Sequence, residues 1–341
     1  MLDGVAVTTI RTPLCALLGI DVPIVQAPIG SWPELSPAVC NAGGLGMLGL
    51  SWDDPRDVRR LIRETSNLTN APFGMNLKLD EDQHDRLEAG LEEGVRVISL
   101  FWGRLAADDD YVRMAHQAGA LVTLTVGSAL EARLAVDAGV DVVVAQGLEA
   151  GGHVWGEVST LALVPAVVDA VAPVPVVAAG GIGDGRGLSA VLALGAQAGW
   201  VGTRFLLAEE AAIHPTYRSL LIEASESDTV HSSLFDIGWE NAPHRTIANS
   251  AWRRWKEAGS PPTGTRPGEG ETVAWDESGE PIVCYDFSDP WAGWTGNVEA
   301  TALHAGQSVG LAREVLPAAE IVERLVEEAE TALRSASGLV D

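Results

Sequence analysis

A parallel (β/α)8 barrel is the fold this sequence predicts, and three observations carry it. Short apolar, β-rich runs recur eight times between residues 23 and 205. Amphipathic helical stretches separate them, as βα units require. Glycines follow the sixth, seventh and eighth runs, the positions at which barrel loops carry chemistry.

The runs are PIVQAP (23–28), GMLGL (46–50), FGMNLKL (73–79), VRVISLFW (95–102), ALVTLTV (120–126), VDVVVAQ (140–146), VPVVAAG (174–180) and AGWVGTRF (198–205). Most are continuously apolar, the pattern of strands buried on both faces. Between them lie stretches such as DPRDVRRLIRETS and SALEARLAVDAG, the second ending on Gly139 as a helix C-terminus should. A doubly wound sheet is the runner-up, because strand count does not prove closure. GGLGMLG, with Gly44, Gly46 and Gly49 at GxGxxG spacing, is a decoy. A dinucleotide fingerprint needs strand, turn, then helix, whereas here the helical ELSPAVCNA precedes the glycines and a strand follows.

The barrel is expected to occupy residues 1–225. Beyond it the texture changes to loop-rich sequence, and six of the eleven tryptophans fall between Trp239 and Trp294. Disorder disfavours so many aromatics, so 226–300 is read as an inserted cap that encloses substrate. Residues 301–341 are read as a helical segment returning to the barrel, with Ile321, Leu325 and Ala329 on one apolar face.

Composition narrows the function. With 47 acidic and 22 basic side chains the formal net charge is −25, which argues against nucleic acid or an anionic membrane as partner. A small phosphorylated ligand stays allowed, since backbone N–H groups can hold phosphate locally. Cys15, Cys40 and Cys284 lie far apart with no zinc spacing, and no metal site is expected. No leader is evident at the N-terminus, and the most apolar window is broken by three prolines and Asp169. The chain is expected to be cytoplasmic, and a homo-oligomer is compatible with it.

Candidate site residues gather at the C-terminal strand ends. AAGGIGDGRG leaves run seven through Gly180 and Gly181 and starts a helix near Asp184, while GWVGTRF puts Gly202 and Thr203 at the end of run eight. Together they offer N–H groups, a hydroxyl and a helix dipole to a phosphate. Ala27 and Pro28 close run one and would let a flat ring lie near the barrel mouth. Asn76 and Gln146 can bond a heterocycle's edge, though a buried amide that satisfies backbone is the common alternative for each alone. After run six comes EAGGHVWG, in which Gly151 and Gly152 hold up His153. It is either a flexible turn or backbone approaching a ligand with an imidazole above it.

PIVQAPIG, NAGGLGMLG, GMNL, VAQGLEAGGHVWG, VVAAGGIGDGRG and WVGTRF, in this order, resemble the nitronate monooxygenase family over about residues 20–225. Weaker similarity continues through DIGWENAPHR, TGTRPGEGE and HAGQSVGL. The resemblance implies one non-covalent FMN, touched by Asn76, Gln146, Gly151, Gly181 and the stretch Trp200, Val201, Gly202 and Thr203. Family members often have a polar residue where Trp200 stands, so the resemblance carries its backbone and not its side chain. His153 aligns with the family's catalytic base, with the glycines admitting the flavin. The implied reaction is oxidation of alkyl nitronates, or of nitroalkanes, by O2 to a carbonyl compound and nitrite. His304, Gln307, Trp102 and Ser99 are weaker candidates for the pocket wall. Similar loops occur in NAD(P)H-dependent flavin reductases acting on an enoyl thioester or a quinone, which is the alternative.

Two glycine loops suit one terminal phosphate, so the purified protein is expected to be yellow and to release FMN, not FAD, on heating. A colourless protein that FMN cannot reconstitute would overturn the flavin reading.

Overall fold

The computed structural model describes residues 10–105 and 109–339. The reading of the first residues as lacking a leader, and the outer ends of the 1–225 and 301–341 segments, lie outside them. Eight parallel strands form one sheet: β1 (Ile24–Gln26), β2 (Met47–Gly49), β3 (Gly74–Lys78), β4 (Val97–Phe101), β5 (Leu121–Val126), β6 (Val142–Gln146), β7 (Val176–Ala179) and β8 (Ala198–Val201). All eight lie within the apolar runs. Each ladder is parallel, and β8 pairs with β1 through Ile24↔Gly199.

The last seam, between β1 and β2, is narrow. Leu45 accepts from the Gln26 N–H (2.8 Å) and donates to the Ile24 carbonyl (2.9 Å). The buried Gln26 side chain extends the seam by accepting the Met47 N–H at 3.1 Å. These contacts close the sheet into the predicted barrel. The GGLGMLG glycines join the helix Leu35–Asn41 to β2, so no nucleotide fingerprint exists there.

Strand alternation sorts the core into two layers. Val25, Met47, Val97, Val142, Val144, Val177 and Ala198 fill the barrel interior, with Leu14, Cys15 and Leu18 of the short helix Pro13–Leu18 packed among them. Ile24, Leu48, Met75, Ile98, Val122, Val143, Val176 and Val201 face outward to the helices. Cys15, Cys40 and Cys284 are buried free thiols. Among the described residues no helix is long and apolar enough to cross a membrane.

After β8 the chain builds two small sheets. One joins Thr229–Ser232 to His244–Ile247, whose other edge pairs antiparallel with Gly152–His153. The second joins Thr272–Trp275 to Pro281–Val283 and Thr295–Gly296. Trp239, Phe287 and Trp291 from this region face the C-terminal ends of the barrel strands.

The helix Ala318–Ser337 returns to the barrel, burying Ile321, Leu325 and Ala329 in the outer layer. It docks on the helix Gly185–Ala193, whose first N–H donates to Glu328 Oε2 at 2.9 Å. A Cβ on Gly185 would lie 2.3 Å from the Ala329 nitrogen. Gly→Ala in a helix ordinarily gains up to about 1 kcal/mol. Here Gly185→Ala is expected to lose about 1–3 kcal/mol through overpacking, read as a lower urea midpoint; an unchanged or raised midpoint would refute this docking.

Candidate active site

The strand ends and the inserted segment enclose a cavity of about 840 Å³. Ala27, Pro28, Asn76, Gln146, Gly151, Gly152, His153, Gly180, Gly181, Trp200, Gly202 and Thr203 all line it. Val201 does not. Its side chain points to the helices, as the residue after inward-facing Trp200 must, and only its carbonyl reaches the rim, accepting from the Ala27 N–H at 2.8 Å.

Both amides are already partly spoken for. Gln146 Nε2 donates to the His153 carbonyl (3.0 Å) and Oε1 accepts the Trp155 N–H (2.9 Å), so this side chain shapes the loop that carries His153. Asn76 Nδ2 donates to Ser99 Oγ at 2.9 Å. Asn76 therefore keeps its carbonyl, and Gln146 one N–H, for anything in the cavity.

EAGGH is not a flexible turn. Gly152 and His153 form a two-residue strand, with His153 in register opposite His244 and Gly152 opposite Arg245. The two glycines serve different ends. A Cβ on Gly151 would lie 2.3 Å from the Gly306 nitrogen, so this glycine admits the chain's own 305–306 backbone rather than a ligand. Gly152 has φ +73° with open space where a Cβ would be, so it turns the backbone along the cavity. Arg245 fixes the arrangement by donating through Nη2 to the Leu148 carbonyl at 2.9 Å.

The His153 ring lies 3.9 Å from that of Trp239, tilted 32°, with the Trp102 ring edge-on at 5.6 Å. Trp239 is held by its indole N–H on Asp80 Oδ2 (3.0 Å) and by Lys78 Nζ, 4.6 Å above its ring centre. His153 Nε2 is buried with no partner. Burial, reinforced by His304, His244 and Lys78, pushes the imidazole pKa well below its ordinary value, so the ring is neutral. The three histidines form a triangle with ring centres 5.2–5.6 Å apart. It is not a metal centre: His244 Nδ1 meets the Ala242 carbonyl (2.9 Å) and Nε2 accepts the Phe235 N–H (3.2 Å). Among the described residues no group of side chains is placed to hold a metal.

On the neighbouring strand ends, after β7 and β8, the N–H groups of Gly181, Ile182, Gly202 and Thr203 have no acceptor among the described residues. Thr203 Oγ1 accepts the Gly306 N–H at 2.9 Å, which leaves its own proton to donate elsewhere. The predicted helix-end contribution fails. Asp184 caps the Arg186 and Gly187 N–H groups at 3.0 and 3.3 Å, and Gly185 is taken by Glu328. Free loop amides remain, and they suit a phosphate.

Of the weaker candidates, His304 lines the cavity. Ser99 and Trp102 are buried behind Asn76 and His153, and the Gln307 side chain is exposed, outside the wall. Sequence reasoning missed Trp239, Phe287 and Asp289, which also line the cavity, and Arg245, which positions the loop. The dense tryptophans were their one visible signal. No lysine or arginine is among the described residues lining the cavity.

A family model described as nitronate monooxygenase matches residues 11–328. The chain is 34% identical to (3aS,4S,5R,7aS)-5-hydroxy-7a-methyl-1-oxo-octahydro-1H-indene-4-carboxyl-CoA dehydrogenase of Mycobacterium tuberculosis, over 97% of this chain and 99% of that one. It is 33% identical to nitronate monooxygenase of Paraburkholderia phytofirmans, over 93% and 95%. Among solved structures, FabK from Thermotoga maritima superposes with a TM-score of 0.81 at 32% identity, covering 97% of this chain and 100% of that one.

His244 is neutral in the fold, its pKa pushed down to about 3 chiefly by burial and by His304. The unfolded imidazole titrates near ~6.5. As pH falls below that value the unfolded state takes up a proton that the fold refuses, so stability falls with acidification, by about 2 kcal/mol per such histidine between pH 7.5 and 5. The stability gap between wild type and His244→Gln is expected to narrow by that amount over this range in urea unfolding. A constant gap would mean that His244 protonates freely in the fold.

Proposed function

This chain belongs to the nitronate monooxygenase family, and we propose that it oxidises alkyl nitronates, and the nitroalkanes that yield them, with FMN and molecular oxygen. The products are a carbonyl compound and nitrite. One observation carries the reading: a neutral imidazole whose Nε2 has no hydrogen-bonding partner lies in a cavity whose rim after β7 and β8 offers unclaimed amide N–H groups.

FMN fits this chain's residues. Gly181, Ile182, Gly202 and Thr203 would take its phosphate with neutral donors, and Ala27, Pro28, Asn76 and Gln146 would meet its ring system. Gly152 leaves room beside them. When bound, FMN supplies the electron transfer between nitronate and oxygen.

A nitroalkane is a neutral carbon acid, and its α-proton must leave before electrons can. His153 would accept that proton, while the C–H bonding pair shifts onto carbon and into the nitro group. Its lowered pKa keeps it unprotonated and ready, at some cost in base strength. Trp239, Phe287 and Trp291 in the wall give an alkyl chain an apolar surface and keep water from the carbanion. An uncharged substrate also avoids entering an acidic protein's cavity as an anion with no lysine or arginine to receive it.

A flavin-dependent reductase acting on an acyl thioester is the second reading, favoured by the name of the Mycobacterium tuberculosis relative, a carboxyl-CoA dehydrogenase. Such a substrate and NAD(P)H both carry phosphates, for which the cavity lining offers no cation. Anaerobic mixing separates the two: nitronate bleaches the flavin in the first, NAD(P)H in the second.

His153→Asn keeps approximate size but removes the proton acceptor. Turnover of neutral nitroalkane is expected to fall on the order of 10²–10⁴-fold, with a much smaller loss on preformed nitronate and FMN content near wild type. Equal loss on both substrates would assign His153 to binding, and loss of flavin would make it structural.

A further inference from the structure

His153 can take a proton, but its surroundings do not favour keeping one. Trp239, Trp102 and Phe287 pack around its ring, and the charged or titratable groups facing it are His304, His244 and Lys78, with no carboxylate among them. His244 cannot receive the proton without losing a bond, because its nitrogens hold Ala242 and Phe235. Lys78 is committed to Asp80 (3.1 Å) and Glu81 (2.7 Å).

His304 is different. It hangs on the same strand as His153: Thr246 bridges antiparallel to His304, and His244 pairs with His153. The two rings are 5.2 Å apart between centres. His304 Nδ1 lies 2.9 Å from Asp289 Oδ1, and Tyr217 Oη donates to the His304 carbonyl, fixing the backbone beneath the ring. A carboxylate accepts, so the Nδ1 beside it carries a hydrogen, and in the neutral ring Nε2 then holds the lone pair. That Nε2, like Nε2 of His153, is buried and without a partner. The two orphaned nitrogens sit on adjacent imidazoles and do not bond one another as the rings stand; protonation of one would make it a donor to the other once the rings close that gap. Asp289 is about a quarter exposed and itself lines the cavity, so the pair leads from the buried ring to the cavity surface.

We propose that His304 and Asp289 form a relay that receives the substrate proton from His153 and carries it to solvent. This rests on His153 being the base. The proton balance closes without a co-reactant. The α-proton bonds to the free Nε2 lone pair of His153, and the same proton then passes from there to His304 Nε2. His153 returns to neutral, and the His304 imidazolium sits against the Asp289 carboxylate until it releases its proton. His304 acts through His153 and is a positioning and relay residue, not a second site of attack.

The test uses the FMN-loaded enzyme in four forms: wild type, His153→Asn, His304→Asn and Asp289→Asn. Turnover of nitroethane is compared with that of its preformed nitronate from pH 6 to 9. If the relay operates, His304→Asn and Asp289→Asn each lower the nitroethane-to-nitronate rate ratio by about tenfold or more. Independently of activity, nitrogen-15 NMR of labelled histidine shows His304 as the Nδ1–H tautomer in wild type, and Asp289→Asn removes that bias. The relay is overturned if His153→Asn lowers the ratio while both relay variants stay within twofold of wild type, or if His304 is not the Nδ1–H tautomer. If His153→Asn leaves the ratio unchanged, the base reading fails and takes the relay with it.

Discussion

The strand His244–Ile247 is the contact on which the site depends. Along one edge it pairs with Gly152–His153, and further along the same edge it meets residues 303–305, with Ala305 donating to the Arg245 carbonyl (3.1 Å) and Ile247 to that of Leu303 (2.8 Å). It thereby brings a barrel loop and the segment before the last helix into one small sheet over the strand ends. His153, His244 and His304 become neighbours because all three belong to it. Gly151 must be glycine for the same reason, since the 305–306 backbone passes where its side chain would be. A site geometry that looks like a property of one loop is thus set by pairings between parts of the chain about 90 and about 60 residues apart.

Electrostatically the cavity works with dipoles. The protein carries a formal charge of −25, yet its lining has no lysine or arginine, and the cations nearest the site, Lys78 and Arg245, are buried and committed to carboxylates or carbonyls. Anionic groups must be met by backbone N–H and hydroxyl donors, whose reach is short and directional. Such a lining discriminates by position more than by charge.

Most of the barrel was legible because parallel strands buried on both faces are written as unbroken apolar runs. The glycine loops were legible because positive-φ positions leave a residue-type mark, as at Gly180 and Gly181. Other features leave no local mark. Gly152–His153 has no strand propensity and is a strand only because His244–Ile247 lies beside it. Asp289 and Arg245 look like any other surface charge until the fold sets them against His304 and Leu148. Val201 stays out of the lining although its neighbours Trp200, Gly202 and Thr203 join it, because alternation puts successive side chains on opposite faces. Asp184 starts a helix without leaving its end open, because a cap that binds its own helix amides competes with a ligand for the same donors.

The docking of Ala318–Ser337 has a consequence for the order in which the molecule matures. Its Glu328 completes the first turn of the helix that follows the Gly180–Gly181 loop. Ribosomes add residues at about 5–20 per second, so every barrel strand is made well before this last helix emerges. During that interval the outer apolar face of Gly185–Ala193 lacks its cover, and the adjoining loop lacks the support that sets its amides. The helix that continues the glycine loop is thus braced by a side chain 143 positions further along the chain.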